Sequence, residues 1–478
     1  MSDRTVLVWL REDLRLDDNP ALRKAADSGE PVACLYVLDD EAPGPWALGG
    51  AQRWWLHHTL SALAADLARA GGALILRRGR SEDVVPAVTQ ELGACAVYWN
   101  RRYMPWQVEQ DKGLKASLTD DGVEVESFSG RLLHEPWTIK TKTGGPYRVY
   151  TPYWKQVQTL DVPDAAPRVR KLVSPKQLPS SDILTDWNLL PTKPNWATGF
   201  EPIWEPGEAG ARQRWKSWAK AYAGRYGSER NRPDLDTTSR MAPHIHFGEI
   251  SIRTMYRDVA AMMDDGAIDH DEGKTFLSEL VWREFSYHLL FYNADMFDLP
   301  LNRKFTDFRW DNDDVHFDAW TKGMTGYPIV DAGMRQLYAE GHMHNRVRMI
   351  VGSFLVKDLL IDWRKGMAWF WDTLVCADPA ANTASWQWVA GCGADAAPFF
   401  RVFNPITQGE KFDPDGAYVR RHVPELAKVP AKHIHAPWKA PREVLAQAGV
   451  ELGTTYPQPI VDHGQMREEA LSRYQAIK

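Results

Sequence analysis

The segment VLVWL, at residues 6–10, starts the pattern that decides the fold of this chain. It is a short run of apolar and β-branched residues. Between it and similar runs later in the chain, apolar residues recur at helical spacing. Four similar runs follow, at residues 32–38, 73–76, 96–99 and 123–128. Short buried strands that alternate with helices are typical of a parallel sheet covered on both faces. Residues 1–130 are therefore predicted to form a doubly wound α/β domain.

The clearest helical pattern between these runs covers residues 53–71 and ends at the pair Gly71-Gly72. Glycine after the last periodic residue is a stop signal for a helix. No GxGxxG string follows the first run, so a dinucleotide site of the Rossmann type is not predicted in this domain.

The pattern changes after residue 130. Residues 131–206 are predicted to be a linker, because eight prolines between residues 163 and 206 interrupt any periodicity. From residue 207 to residue 478 the spacing of apolar residues is helical, which predicts an all-α domain. Candidate helices lie near residues 208–222, 251–263, 273–292, 329–340 and 345–361.

Composition limits the class of protein. The chain has 478 residues, 44% of them hydrophobic, which is typical of a globular protein large enough for two domains. The apolar run near the amino terminus is too short for a signal sequence or a membrane span, so a cytoplasmic protein is expected. The four cysteines lie far apart, which predicts neither disulfides nor a metal site. A net charge of -6 argues against indiscriminate nucleic-acid binding, although a local basic face is enough to hold a phosphate backbone.

The string GSERNRPDLDTTSRMA, at residues 227–242, is the first candidate for ligand binding. Its cluster Thr237-Thr238-Ser239-Arg240 precedes a helical segment. Hydroxyls, backbone N–H groups and a guanidinium can together hold a phosphate. A helix cap is the competing interpretation, because serine and threonine are preferred at helix N-termini.

The string ELVWREF, at residues 279–285, places functional side chains on one face of a helix. Glu279, Trp282 and Arg283 are three or four positions apart, so a carboxylate and an indole can hydrogen-bond and stack one base together. A buried indole flanked by surface ion pairs is the alternative.

The string HNRVRM, at residues 344–349, puts Asn345 and Met349 one helical turn apart, while Arg346 and Arg348 fall on other sides. One helix end can thus contact two different ligands. The nearby histidines have no neighbouring carboxylates or thiols to complete a coordination shell, so no metal site is predicted.

The segment DPAANTASWQW, at residues 378–388, with RVFNP at 401–405 and QGEKF at 408–412, is similar to the flavin-binding half of the photolyase/cryptochrome family. The resemblance covers nearly the whole chain and includes REDLR at residues 11–15 and TGYPIVD at residues 325–331. Within the family, the chain looks like the bacterial enzymes of class I or class III that act on cyclobutane pyrimidine dimers. This resemblance implies an antenna-binding amino-terminal domain, an all-α FAD-binding domain and light-driven DNA repair.

The resemblance also implies how FAD is held, folded so that its adenine meets the flavin ring. The implied cofactor-binding residues are Tyr226, Thr238, Ser239, Arg240, Met241, Ala242, Arg348, Cys376, Ala377, Asp378 and Asn382. Among them, Arg348 and Asp378 approach the isoalloxazine ring and the ribose, and Asn382 faces flavin N5. An amide suits this place because it can donate or accept a hydrogen bond as the flavin changes charge.

In the reaction that the resemblance implies, fully reduced, anionic FAD absorbs light and passes an electron to the dimer, whose cyclobutane bonds split. The cofactor does the hard chemistry, and the dimer must leave the duplex stack to reach it. The implied substrate- and DNA-binding residues are Arg230, Glu279, Trp282, Arg283, Asn345, Arg346, Met349, Trp388 and Gln408. Glu279 is expected to hydrogen-bond the thymine edge. Damaged DNA is the expected partner, and a monomer is expected.

Three tryptophans match the indole series through which members of the family photoreduce their flavin, namely Trp386, Trp363 and Trp310. The chain has 22 tryptophans, an unusually high count, and core packing is the alternative role for each of these three.

Three positions depart from the family pattern. Cys376 stands where relatives usually carry an aspartate that pairs with the arginine matched by Arg348, and His342 replaces a usual tryptophan. Both changes bear on the electrostatics of the flavin. Met104 stands where a glutamate is usual in the amino-terminal domain. A folate antenna, methenyltetrahydrofolate, is favoured there, with a deazaflavin or no antenna as alternatives.

Two other functions occur on the same fold, because fold alone does not decide function. A cryptochrome-like blue-light photoreceptor is expected to differ at several of the implied lesion-binding positions and often to carry a long tail. Repair of (6-4) photoproducts fits less well, because those enzymes carry histidines at the positions of Asn345 and Met349.

Overall fold

The computed structural model describes residues 4–395 and 400–478. Its first part contains a parallel sheet with the strand order β3-β2-β1-β4-β5. The strands are β1 (Thr5–Leu10), β2 (Val32–Leu38), β3 (Leu74–Arg78), β4 (Ala94–Asn100) and β5 (Glu124–Phe128). The predicted doubly wound sheet is confirmed, because the strand order reverses direction at β1.

Helices cover both faces of this sheet. They are α1 (Pro20–Asp27), α2 (Gly50–Arg69), α3 (Ser81–Leu92) and α4 (Pro105–Asp120). Alternate residues of β1 enter different cores, with Val6 and Val8 on one face and Leu7 and Trp9 on the other. A strand buried on both faces explains why the sequence shows an uninterrupted apolar run rather than an alternating one.

The remainder of the described chain is largely helical. Its helices are α5 (Tyr150–Val157), α6 (Glu208–Tyr222), α7 (Tyr226–Glu229), α8 (Ala242–His246), α9 (Ile252–Asp264), α10 (His270–Tyr292), α11 (Asp314–Thr321), α12 (Pro328–Glu340), α13 (Asn345–Ser353), α14 (Trp363–Thr373), α15 (Pro379–Ala390), α16 (Pro405–Phe412), α17 (Ala417–His422), α18 (Ala431–Ile434), α19 (Arg442–Ala448) and α20 (His463–Ala476). The predicted all-α second part is therefore confirmed.

One predicted helix, at residues 345–361, has a different form. The helix α13 ends at Ser353 and continues as a π-helical turn, Phe354–Asp358. Leu360 then adopts a left-handed conformation with φ of +52°. A π turn widens the helix, and such turns often occur at functional sites. The apolar pattern of this segment carries no signal for the change.

The helices α10, α13, α14 and α15 meet in the middle of the helical part. The helix α14 also joins the two parts of the molecule. Trp371 Nε1 donates to the Ala47 carbonyl (2.8 Å), and Gln52 Nε2 donates to the Trp371 carbonyl (2.9 Å). Within residues 4–395 and 400–478, no helix is long and apolar enough to cross a membrane.

Candidate active site

A cavity of about 520 Å³ lies between α10, α13 and α15. Its volume is in the range of small-molecule and cofactor pockets. The sequence-predicted residues that line it are Tyr226, Arg230, Ser239, Met241, Ala242, Glu279, Trp282, Arg283, Asn345, Arg348, Met349, Cys376, Ala377, Asp378, Asn382, Trp386 and Trp388. Motifs that are far apart in the sequence thus converge on one cavity.

Ser239, Met241 and Ala242 line the cavity beside the short helix α8. The Ser239 hydroxyl accepts a long hydrogen bond from Met241 N (3.4 Å), and no side chain caps α8. The Ser239 hydroxyl therefore keeps its proton for a ligand in the cavity. This arrangement favours the phosphate interpretation of the cluster over the helix-cap interpretation.

Arg348 and Cys376 are neighbours in the cavity wall. Arg348 Nη2 donates to Cys376 Sγ (3.3 Å), and its Nε donates to the Met343 carbonyl (2.8 Å). Within the described ranges, no carboxylate forms an ion pair with Arg348. A half-buried guanidinium without a carboxylate partner favours an anionic group in the cavity.

Two histidines, His342 and His344, lie close to Arg348. Burial, together with Arg240, Arg348 and other cations, lowers the pKa of His342 far below the ordinary histidine value. Burial and the nearby arginines also lower the pKa of His344 to about 3. Both imidazoles are therefore neutral at pH 7, and the positive potential of this wall comes from the arginines.

Asp378 caps α15 and forms the second charged group of the wall. Its Oδ1 accepts from Ala381 N (3.0 Å), and its Oδ2 accepts from the Tyr287 hydroxyl (2.7 Å). Burial alone would raise the pKa of Asp378, but Arg283, His246 and Arg131 hold it below its ordinary range. Asp378 is therefore ionised at pH 7.

Arg283 forms an ion pair with Asp378. Its Nε lies 3.7 Å from Asp378 Oδ2, and its Nη1 donates to the Arg131 carbonyl (3.1 Å). Its Nη2 is buried and has no hydrogen-bond partner in the described residues. Since Arg283 also lines the cavity, this orphaned donor indicates a polar ligand group there.

Asn382 lies one turn into α15 and lines the same cavity. Its Nδ2 donates to the Met367 carbonyl (3.1 Å), which fixes the orientation of the amide. The amide oxygen is then the atom left to accept a hydrogen bond from a ligand. Donors for phosphates, an ionised carboxylate, a fixed amide and apolar walls together fit the functional groups of FAD.

Another part of the wall presents Glu279, Trp282, Met349 and Trp388. Glu279 Oε1 accepts from Arg230 Nη1 (2.5 Å), so its carboxylate is held at the cavity by an ion pair. Burial opposes the charge of Arg230, but the nearby Glu279 outweighs it and raises the pKa of that guanidinium. The arrangement offers a charge-assisted acceptor between flat, apolar surfaces, which suits a nucleobase.

Several predicted site residues do not line the cavity. Arg240 pairs with Asp236 (3.0 Å), and its neighbour Thr238 is half-buried. Arg346 binds Asn231 Oδ1 (2.7 Å from Nη2) and lies over the Phe412 ring. Gln408 lies on α16, on the same helix as Phe412.

The three predicted tryptophans lie on elements that touch in series. Trp386 lines the cavity, and its indole packs closely on Gly366 of α14. A Cβ atom added to Gly366 would lie 2.2 Å from the nearest atom of that indole. Trp363 is the first residue of α14 and is buried. Beside it, Asp311 N donates to the Leu360 carbonyl (2.8 Å), which holds the segment that follows Trp310.

Sequence reasoning missed two kinds of site residue. Phe276, Leu280, Phe285, Gly352 and Phe370 line the cavity as apolar wall, and nothing separates them in the sequence from core residues. Two further residues lie behind the wall. The Tyr287 hydroxyl donates to Asp378, and Arg131 donates to the Tyr287 hydroxyl. The spacing of Tyr287 from Arg283 on one face of α10 is the signal that could have found the former.

Histidine pairs do not form a coordination site in this structure. Within residues 4–395 and 400–478, no group of three or more histidine, cysteine, aspartate or glutamate side chains is placed to hold a metal ion.

Two family models match the chain. The model described as the FAD binding domain of DNA photolyase matches residues 276–476, and the model described as DNA photolyase matches residues 6–170. Fold and site thus define a protein with a parallel α/β sheet and a helical FAD-binding domain. The chain belongs to the photolyase/cryptochrome family, as the sequence motifs predicted.

Individual relatives agree with this assignment. The deoxyribodipyrimidine photo-lyase of Agrobacterium fabrum is 54% identical over 99% of this chain and 98% of its own length. The crystal structure of a bacterial class III photolyase from Agrobacterium tumefaciens has a TM-score of 0.97 at 52% identity, covering 100% of this chain and 98% of that one. Cryptochrome-1 of Arabidopsis thaliana is 36% identical over 98% of this chain and 70% of its own length.

Proposed function

We propose that this protein is a deoxyribodipyrimidine photo-lyase, a carbon–carbon lyase that uses light to repair cyclobutane pyrimidine dimers in DNA. The observation that carries the proposal is the composition of one cavity. Its wall combines the groups that suit FAD, around Arg348, Asp378 and Asn382, with a base-binding surface around Glu279 and Trp282. The names of the similar photolyases support the same reaction.

In this proposal the residues of one wall hold FAD. Tyr226, Ser239 and the backbone to Ala242 bind the pyrophosphate, and Arg348 and Asp378 orient the ring and the ribose. When bound and reduced, FAD would supply the absorption of light and the electron that is needed to split the dimer. The amide of Asn382, which donates to the Met367 carbonyl, would offer its oxygen as a hydrogen-bond acceptor to N5 of a bound flavin.

The other wall binds the flipped-out dimer. Glu279 accepts a hydrogen bond from the thymine edge, and its ion pair with Arg230 holds the carboxylate in place. Trp282, Trp388 and Met349 pack against the faces of the dimer and exclude water. Asn345 is exposed at the cavity mouth, and Arg346 and Gln408 contact DNA farther out. In this scheme Arg283 serves Asp378 rather than DNA, because its Nε lies 3.7 Å from Asp378 Oδ2.

The tryptophans Trp386, Trp363 and Trp310 are proposed to recharge a resting, oxidised cofactor with light. Two contacts support this role: Trp386 packs on Gly366 of α14, the helix that begins at Trp363, and Asp311, next to Trp310, donates to the Leu360 carbonyl.

The remaining assignments follow from the same proposal. Residues 1–130 form an antenna-binding domain, residues 131–206 a linker, and residues 207–478 the catalytic domain. The similarity to a class III photolyase favours that class. Methenyltetrahydrofolate is the antenna proposed for the amino-terminal domain. The protein acts as a cytoplasmic monomer on single- or double-stranded damaged DNA.

One experiment tests the proposal. The purified protein is expected to be yellow or blue from non-covalently bound FAD, and to convert a dimer-containing oligonucleotide to intact thymines under blue light but not in the dark. A folded protein that takes up no FAD would overturn the cofactor assignment. Bound FAD without repair, even after chemical reduction, would favour the cryptochrome-like photoreceptor instead.

A further inference from the structure

Trp282 has one of its two faces covered by another aromatic ring. The rings of Trp282 and Tyr150 are stacked with centroids 3.6 Å apart and planes inclined by 8°. Tyr150 is the first residue of α5, in the segment between the sheet and the catalytic helices. Because Trp282 lines the cavity, its uncovered face is the one that a ligand can stack on.

Tyr150 is itself held firmly on α10. Its hydroxyl donates to the Ser278 carbonyl (2.7 Å) and lies 2.8 Å from Ser278 Oγ. Ser278 lies one turn before Trp282 on the same face of α10. Phe285 contacts both rings edge-on, with centroid distances of 5.8 and 5.9 Å. The tyrosine therefore spans a full turn of α10 and fixes the plane of the indole.

We propose that Tyr150 is a positioning residue for lesion recognition, which acts by holding the Trp282 indole ready to stack on the pyrimidine dimer. The inference rests on the proposed function. A half-buried indole without this backing would occupy several rotamers, and the dimer would have to order it on binding. Holding the side chain in its bound orientation beforehand removes that cost.

Tyr153 lies on the same helix as Tyr150 and has packing contacts with other core rings. Tyr153 is buried and packs on Phe285 and His288, each with a centroid distance of 5.1 Å. No ring contact joins Tyr153 to Trp282 in the described chain. Tyr153 is therefore a matched control, because it has the same residue type in the same helix.

The test compares FAD-loaded wild-type protein with Tyr150→Leu, Tyr150→Phe and Tyr153→Leu. Dissociation constants are measured in the dark for a fluorescein-labelled oligonucleotide with one cyclobutane thymine dimer and for the same oligonucleotide without it. Tyr150→Leu is expected to reduce the preference for damaged DNA by about threefold to tenfold, from the energy of one aromatic pair. Tyr150→Phe keeps the ring and should keep the preference, as should Tyr153→Leu.

A double-mutant cycle completes the test. In a Trp282→Ala background, Tyr150→Leu should cause no further loss of preference, because the two residues act as one unit. The inference is overturned if Tyr150→Leu retains the wild-type preference, if Tyr153→Leu loses it equally, or if the effect persists without Trp282. Tyr150→Met replaces the leucine variant if the latter does not retain FAD.

The two proposals fail in different ways. A wild-type holoenzyme that neither prefers nor repairs dimers overturns the proposed function. A wild-type enzyme that repairs dimers, beside a Tyr150→Leu variant with unchanged preference, overturns only the role of Tyr150.

Discussion

Glu279 supplies a carboxylate to the base-binding surface, and its ion pair with Arg230 holds it in place as an acceptor. We predict that Glu279→Ala lowers affinity for a dimer-containing oligonucleotide by about tenfold or more, since a hydrogen bond to a charged group contributes about 1.5–3 kcal/mol. Equilibrium binding and initial repair rates measure the loss.

Glu279→Gln is the matched control for this prediction. It keeps the shape and one acceptor oxygen but removes the charge, so its affinity should fall between those of the wild type and Glu279→Ala. Unchanged affinity and repair in the alanine variant would show that the substrate wall is assigned wrongly.

Cys376 leaves Arg348 facing a thiol at 3.3 Å instead of a carboxylate. In the proposed function, a guanidinium with a thiol rather than a carboxylate as its neighbour would stabilise a reduced, anionic flavin. We predict that Cys376→Asp lowers the reduction potential of the bound flavin, by about 30 mV for each 1.4 kcal/mol of lost electrostatic stabilisation in a two-electron couple. Spectroelectrochemical titration of both proteins measures the shift.

The same substitution is expected to raise the melting temperature, because Arg348 gains an ionic partner. Cys376→Asn controls for shape, since it has the size of aspartate without its charge. An equal or higher potential in Cys376→Asp, or an equal shift in Cys376→Asn, would contradict the electrostatic argument.

At the scale of elements, the contact between α14 and α15 brings two members of the predicted indole series to neighbouring helices. Trp386 of α15 packs on Gly366, which lies three residues after Trp363 on α14. We predict that Trp363→Phe retains FAD but photoreduces it much more slowly, because phenylalanine is far harder to oxidise than an indole. Chemically reduced Trp363→Phe should repair dimers at the wild-type rate.

Trp369→Phe is the control for the tryptophan series. Trp369 lies on the same helix and packs on Phe317, outside the proposed series. Its photoreduction rate should match that of the wild type. Normal photoreduction in Trp363→Phe would mean that electrons reach the cavity by another route.

Elements differ in how far their sequence predicts them. The runs at residues 32–38 and 208–222 coincide with β2 and α6, because local apolar patterning decides a buried strand and an amphipathic helix. The stack of Tyr150 on Trp282 was not predictable in this way. It joins residues far apart in the chain, and a buried tyrosine at the start of a short helix carries no local signal of its partner.

At the scale of the molecule, the motifs predicted which residues line the cavity. They did not predict the hydrogen bonds that hold those residues in place. The strings around Glu279 and Asp378 line one cavity as expected. The bond from Tyr287 to Asp378 depends instead on how α10 packs on α15, and the bond from Arg131 to Tyr287 on how the segment after β5 docks on α10. Such contacts follow from tertiary packing, and a single sequence carries no pattern for them.

Lys357, in the π-helical turn, makes the stability of the whole molecule depend on pH. It is almost fully buried, its Nζ donates to the Arg401 carbonyl, and it lies 4.7 Å from the centroid of the Phe400 ring. Burial lowers the pKa of Lys357 to about 7, although the neighbouring Asp358 opposes this shift. An unfolded chain restores the ordinary lysine value of about 10.4.

The sign of the effect follows from proton binding. Between pH 7 and pH 10 the folded protein binds fewer protons at Lys357 than the unfolded chain, so the free energy of unfolding rises with pH. Lys357→Met removes this titration while filling the same space. From pH 6 to pH 9, the wild type should gain about 2–3 kcal/mol of unfolding free energy relative to Lys357→Met.

Urea denaturation of both proteins at pH 6 and pH 9 measures this difference. Asp358 is present in both proteins, so most of its own titration cancels in the comparison. Lys365→Met is the control, because the Lys365 side chain is only partly buried and is paired with Asp314 (2.8 Å). It should leave the pH dependence unchanged. Parallel pH profiles for the wild type and Lys357→Met would mean that the Lys357 ammonium is not desolvated in the folded protein.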